Sequence, residues 1–177
     1  PWDYRYYAEK VRKAKFDLDE NAIKPYLQLD SLREAMFWSA GQLYGLRFER
    51  LEPRAVPVYH PDVTVFEVKN RDGRHQGLFY FDPWARNGKQ SGAWMNDYRP
   101  QERFDGEITT IVSNNLNFIE PPAGEAQLIG WDDARTLFHE FGHAVQGLLS
   151  DVTYPSMAGT AVVRDYVELS SQIMEHW

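Results

Sequence analysis

The 177-residue chain contains no cysteine, which excludes disulfide bridges and any thiolate metal cluster. It also has no apolar run near the roughly 18 residues that a membrane-spanning helix needs, and no secretory leader is visible. Basic runs are missing too. The 19 Lys and Arg stand against 26 Asp and Glu, a formal charge of -7, which argues against nucleic acid and anionic membranes as partners. No internal repeat or linker divides the chain, so one domain with a real core is expected over residues 1–177. Apolar residues make up 43% and aromatics 15%, which argues against disorder. The six Trp and ten Tyr suit a core, or a piece that packs on neighbours or lines a cleft.

Against this background one pentapeptide stands out: His139-Glu140-Phe141-Gly142-His143. Four residues on an α-helix separate two side chains by about 40° and about 6 Å, so both imidazoles leave one face and can grip one metal ion. Glu140 lies beside them, where a carboxylate can take a proton from a water that the metal activates. With five His and thirteen Glu, about 0.01 chance matches to His-Glu-x-x-His are expected. Ala134, Leu137, Phe138, Phe141, Ala144, Val145 and Leu148 repeat at helical spacing, and no proline interrupts residues 123–154. A helix from Asp132 follows, with Asp132 as its N-cap and Asp133 in its first turn.

Two imidazoles hold zinc weakly, and a catalytic site uses three protein ligands. Downstream, Val167, Ser170, Ile173, Met174 and Trp177 repeat as in a helix beginning near Tyr166, with Glu168, Ser171, Gln172 and Glu175 on an adjacent polar stripe. Spacing leaves two readings of Glu168: third ligand, or a solvated carboxylate like most helical glutamates. Glu175 or Asp165 is the candidate to orient a histidine through its free ring nitrogen.

Together, His139–Ala144, Ala158–Thr160, Arg164-Asp-Tyr-Val-Glu168, Ser171-Gln172 and Glu175-His-Trp177 resemble the zinc peptidases related to thimet oligopeptidase. Within that family the resemblance is to the bacterial peptidyl-dipeptidase and oligopeptidase A branch. Upstream it extends through Gly77–Tyr80, Asp82, Arg86, Gly88-Lys89 and Gly92–Met95 to Pro1-Trp2-Asp3, Tyr6-Tyr7 and Lys10–Arg12. The resemblance implies one zinc ion per chain, held by His139, His143 and Glu168, with Glu140 as general base. It further implies short peptide substrates and a cytoplasmic enzyme. Ser170 departs from the proline that relatives often carry there and removes no ligand. Family members are several-fold longer, and beyond the third ligand they supply His and Tyr residues that hold substrate. The chain is therefore expected to be an internal piece of a longer parent, weak or inactive alone. Two other readings stay open: a metal-binding structural piece without activity, and a metal hydrolase of a non-peptide substrate.

The expected fold is α+β, a predominantly helical zincin-type catalytic-domain fragment with a small, largely antiparallel sheet. Helices are expected over 3–16 and from Ser31, by a Ser31–Glu34 capping box, to Tyr44 with Gly45 as its stop. Residues 46–60 read as loop. Val63–Val68 and Gly77–Phe81 read as a hairpin around Asn70–Gly73. Residues 83–106 read as loops around a short segment at 93–96, and Ile108–Val112, reaching to Asn114, as a strand. Gly92–Met95 is the candidate edge for a substrate strand, with Trp94 as a plain core residue the alternative. Ser156–Thr160 is a candidate lid or a plain connector. His60, His75 and His176 are assigned to the surface or to caps.

Overall fold

In the computed structural model, residues 2–16, 20–122 and 124–177 are described. Helix α1 (Asp3–Phe16) buries none of its side chains, and a short α2 (Glu20–Ile23) leads through a 3-10 turn to α3 (Leu29–Tyr44). The chain then makes strands β1 (Arg47–Arg50), β2 (Thr64–Lys69), β3 (His75–Trp84), β4 (Trp94–Arg99) and β5 (Thr110–Phe118). Helices α4 (Trp131–Leu148) and α5 (Arg164–Met174) complete it.

The strands form one sheet in the order β1-β2-β3-β5-β4. Three pairings are antiparallel, and β3 with β5 is parallel. The expected α+β class with a largely antiparallel sheet is therefore what the structure has. Because β5 inserts between β3 and β4, β4 becomes an outer strand.

Phe66, Val68, Phe79, Phe81 and Val112 on one face of the sheet join Met36, Phe37, Leu137, Phe141, Ala144 and Leu148 of α3 and α4 in the main core. Val63, Val65 and Tyr80 form a second cluster on the other face, with Leu51, Val56, Leu78 and Ile111 packed against it. Strands buried on both faces lose the strict alternation of a half-exposed strand. Phe141, inside the pentapeptide, is fully buried, with ring centroids 5.7 Å from those of both Phe48 and Phe79 and 6.0 Å from that of Phe37. Turning α4 so that Phe141 left this nest would expose a large aromatic at a cost of about 1.5–3 kcal/mol, so Phe141 sets which way the neighbouring residues face.

Several expected boundaries are corrected. Arg47–Arg50, placed in a loop, pairs with β2; its polar residues mask the signal, and Phe48, partly buried against the core, anchors it. The segment at 93–96 is a longer strand, because β5 offers it a ladder from Trp94 to Arg99. β5 starts at Thr110, since Ile108 makes only an isolated bridge to Glu102. Helix α3 starts at Leu29, before the expected capping box, and the Ser31 hydroxyl donates to Gln28 Oε1 instead. Helix α4 starts one residue before Asp132, after Gly130 as N-cap, and Asp133 accepts the Gly130 N–H at 3.1 Å. Helix α5 starts at Arg164, two residues before Tyr166. Gly45 does end α3, at φ +73°.

Candidate metal centre

With Phe141 pointing inward, His139 and His143 stand on the opposite side of α4, ring centroids 4.9 Å apart and rings nearly perpendicular. Helix α5 crosses close beside them. The close approach depends on Gly142, where an added Cβ would stand 2.5 Å from Ser171 Cα and 2.6 Å from the Ser170 carbonyl oxygen. That packing delivers Glu168 to both rings: its Oε2 lies 3.2 Å from His139 Nε2 and 3.3 Å from His143 Nε2. One donor atom from each of the three residues lies within 4.8 Å of the others. Glu168 keeps its side chain 46% exposed while its carboxylate reaches both imidazoles.

The separations test whether a metal fits. Ligand bonds near 2.05 Å in a tetrahedron put neighbouring donors about 3.35 Å apart, and 3.2 and 3.3 Å match that edge. The donor set, two imidazole nitrogens and a carboxylate oxygen, is one that zinc takes. The three residues fit the ion that the resemblance implies.

His139 and Glu168 are each held from behind. Glu175 Oε1 meets His139 Nδ1 at 2.7 Å, and Glu175 Oε2 accepts from the Arg135 guanidinium at 2.5 Å. Arg135, and next to it His139, hold the Glu175 carboxyl below the usual carboxylate range. Asp165, the other candidate, is exposed in the first turn of α5. The buried Ser171 hydroxyl bonds to Glu168 Oε2 at 2.9 Å. At Ser170, the departure from the proline of the resembling family, the hydroxyl bonds to Gln146 Oε1 at 2.6 Å, and Gln146 Nε2 donates to the Gly159 carbonyl at 2.8 Å.

Glu140 is buried beside the trio. Burial pushes its carboxyl up, His139 opposes that, Glu168 adds to it, and the Met95 N–H at the start of β4 lowers it again. Burial also pushes the His143 imidazole down, favouring its neutral, ligand-competent form. His139, Glu140, Asp132, Arg135, Thr136 and Glu175 line an open cleft of about 510 Å³. A recess of about 390 Å³ under residues 50–65 contains none of these groups.

The remaining candidates divide. Gly92 and Ala93 precede β4, and Trp94 and Met95 begin it, at the sheet's edge and next to Glu140. Residues 155–157 form a 3-10 turn, and Gly159 is tied back to α4 through Gln146 and to Ser150. His60 pairs with Asp62 and His75 with Glu67 at 2.9–3.2 Å, and His176 is exposed, all away from the donor trio.

Sequence reasoning placed Ser171 on the polar stripe of α5 without giving it a role, and missed the roles of Arg135 and Asn114. Asn114, completely buried on β5, donates to the Glu140 carbonyl at 2.7 Å. Its signal was there: Ser113-Asn114-Asn115 interrupts an apolar strand, and buried amides need partners.

The family model described as "Peptidase family M3" matches residues 1–177. The chain is 47% identical to "Dipeptidyl carboxypeptidase" of Escherichia coli (strain K12) over 100% of its own length and 26% of that protein. It is 36% identical to "Oligopeptidase A" of the same organism and 33% identical to "Organellar oligopeptidase A, chloroplastic/mitochondrial" of Arabidopsis thaliana. These matches take in 100% and 99% of the chain, and 26% and 23% of the respective relatives. The chain thus spans about a quarter of the length of the curated relatives it matches.

Proposed function

The chain belongs to peptidase family M3, and from that premise we propose that it carries the metal-binding part of a zinc-dependent peptidase acting on short peptides. The observation that carries this reading is the placement of Glu168 Oε2 at 3.2 and 3.3 Å from two imidazole Nε2 atoms, with buried Glu140 alongside.

His139, His143 and Glu168 would hold the ion. Bound zinc supplies polarisation of the scissile carbonyl and makes water more acidic. Glu140 takes the proton of the attacking water and passes it to the departing amine. Burial raises its carboxyl towards the pH at which it works. The outer strand β4 offers backbone groups for an extended peptide to pair with, and the Glu140–Met95 contact ties that strand to the base. The cytoplasmic location implied by the resemblance belongs to the same proposal, as does the treatment of residues 1–177 as part of one catalytic domain.

The test has two arms. The purified chain is expected to bind one zinc ion, and His143→Ala or Glu168→Ala to lose it; unchanged stoichiometry overturns the ligand set. In the full-length protein, an internally quenched peptide is expected to be cleaved by the unmodified enzyme and not by Glu140→Gln, which keeps its metal. Wild-type turnover in that variant overturns the base assignment.

A further inference from the structure

The two imidazoles differ in how their second nitrogens are held. His139 Nδ1 has Glu175 at 2.7 Å. His143 Nδ1 is fully buried and has no hydrogen-bond partner among the described residues. Such an orphan costs about 1–3 kcal/mol unless something answers it.

Two more orphans lie on the sheet that α4 covers. Asn114 Oδ1 and Asp97 Oδ1 are buried without partners among the described residues. In the β4–β5 register Asp97 pairs with Val112 and Met95 with Asn114, so all four share the sheet face that α4 covers. Asn114 is fixed at the Glu140 carbonyl, three residues before His143. Asp97 is placed near Gly147: its Oδ2 and the Gly147 Cα each lie 3.3 Å from where a Cβ on Gly159 would stand. Gly147 follows His143 by one helical turn. The two acceptors therefore sit by α4 residues that precede and follow His143, Glu140 and Gly147.

The chemistry is complementary. With Nε2 turned to the metal side, the neutral ring carries its proton on Nδ1 and is a donor. Asn114 Oδ1 and Asp97 Oδ1 are acceptors. One water accepts one hydrogen bond and donates two, and buried waters make about three hydrogen bonds.

We propose that one internal water joins His143 Nδ1, Asn114 Oδ1 and Asp97 Oδ1, and that Asp97 and Asn114 are positioning residues for the second imidazole ligand. The inference rests on the metal-centre reading above. It gives the two histidines unequal supports: a carboxylate in direct contact behind His139, and a shared water behind His143. It also ties the outer strand, through Asp97, to a metal ligand.

The test uses the chain itself, with zinc affinity read by chelator competition and imidazole protons read by ¹⁵N-histidine NMR of the zinc form. The unmodified chain is expected to show exchange-protected Nδ1–H signals for both His139 and His143. Asp97→Leu and Asn114→Leu are expected to weaken zinc binding about 10–100-fold, whereas Asp97→Asn, which keeps an acceptor, stays within about threefold of wild type. In Asp97→Leu the His143 signal disappears and that of His139 stays. Wild-type affinity in both leucine variants, or an equal loss in Asp97→Asn and Asp97→Leu, overturns the proposal. Should the leucine variants not fold, the unmodified spectrum decides: lack of a protected His143 Nδ1–H overturns it. If the unmodified chain binds no zinc, the metal-centre reading falls and this inference with it, a failure visible before any variant is made.

Discussion

Gly142 lies so close to Ser171 that a single methyl group on it would meet the Ser171 Cα at 2.5 Å and the Ser170 carbonyl at 2.6 Å. This contact joins the helix that carries two imidazoles to the helix that carries Glu168. Gly142→Ala should raise helix propensity by about 1 kcal/mol, yet the overlap is with backbone and cannot be relieved by a rotamer. Overpacking of about 1–3 kcal/mol should win. The expected outcome is a lower melting temperature and zinc affinity at least about tenfold weaker, because α5 must move outward with Glu168. A rise in melting temperature with unchanged affinity would show that the interhelical contact does not position the ligand.

Glu175 is the next lever. Its carboxylate bridges His139 Nδ1 and Arg135, so it fixes the ring's orientation and makes it a better donor. Glu175→Ala is expected to weaken zinc binding about 10–100-fold, while Arg135→Ala, which leaves the imidazole contact in place, should cost less. Isothermal titration against a competing chelator separates the two; equal losses would move the main role to the Arg135 ion pair.

Glu140 makes the apo chain's stability depend on pH with a definite sign. Burial raises its carboxyl above the ordinary value of 4.5. The folded state thus holds a proton that the unfolded state releases, and the stabilising effect is full below about pH 4.5 and is lost as pH rises through the folded value. His143 runs the other way. Its folded value is lowered from 6.5 by burial, so its contribution is full above about pH 6.5 and is lost as pH falls through the folded value. Glu140→Gln removes the first effect only. The variant should melt higher than wild type at pH 7–8, with the gap closing towards pH 4, in metal-free thermal scans. A gap that widened on acidification would contradict the burial of an ionising carboxyl.

The two imidazoles and the helix under them were legible because a helix converts spacing directly into direction: His139 and His143 four apart, and Phe141 between them on the apolar face. Glu168 was legible as a candidate only, since nothing in its own helix says how closely α5 approaches; Gly142 does, once the partner is known. β1 and the full length of β4 were not legible. Both lie at the edges of the sheet, where one flank is open, and polar residues such as Arg47, Glu49, Asn96 and Asp97 hide the strand pattern. Arg135 and Asn114 escaped for another reason. Each acts through a long-range hydrogen bond, Arg135 to Glu175 and Asn114 to the Glu140 carbonyl, and such pairs leave no periodic trace.

Asp82 gives a prediction away from the metal centre. It is 1% exposed, and its carboxylate accepts from Arg86 at 2.6 and 2.8 Å and from Lys89 at 2.9 Å. The Lys89 ammonium also bonds to the Asp82 and Trp84 carbonyls, and its side chain is 3% exposed. The cluster braces the end of β3 and the turn that follows it, ahead of β4. Removing the carboxylate in Asp82→Ala leaves a buried ammonium without its counter-charge, a change that typically costs about 3–5 kcal/mol. Lys89→Met leaves Asp82 paired with Arg86 and should cost clearly less. Urea melts of the two variants measure the difference. A loss below about 1 kcal/mol in Asp82→Ala would mean that solvent reaches Lys89 and that the cluster does not organise the approach to β4.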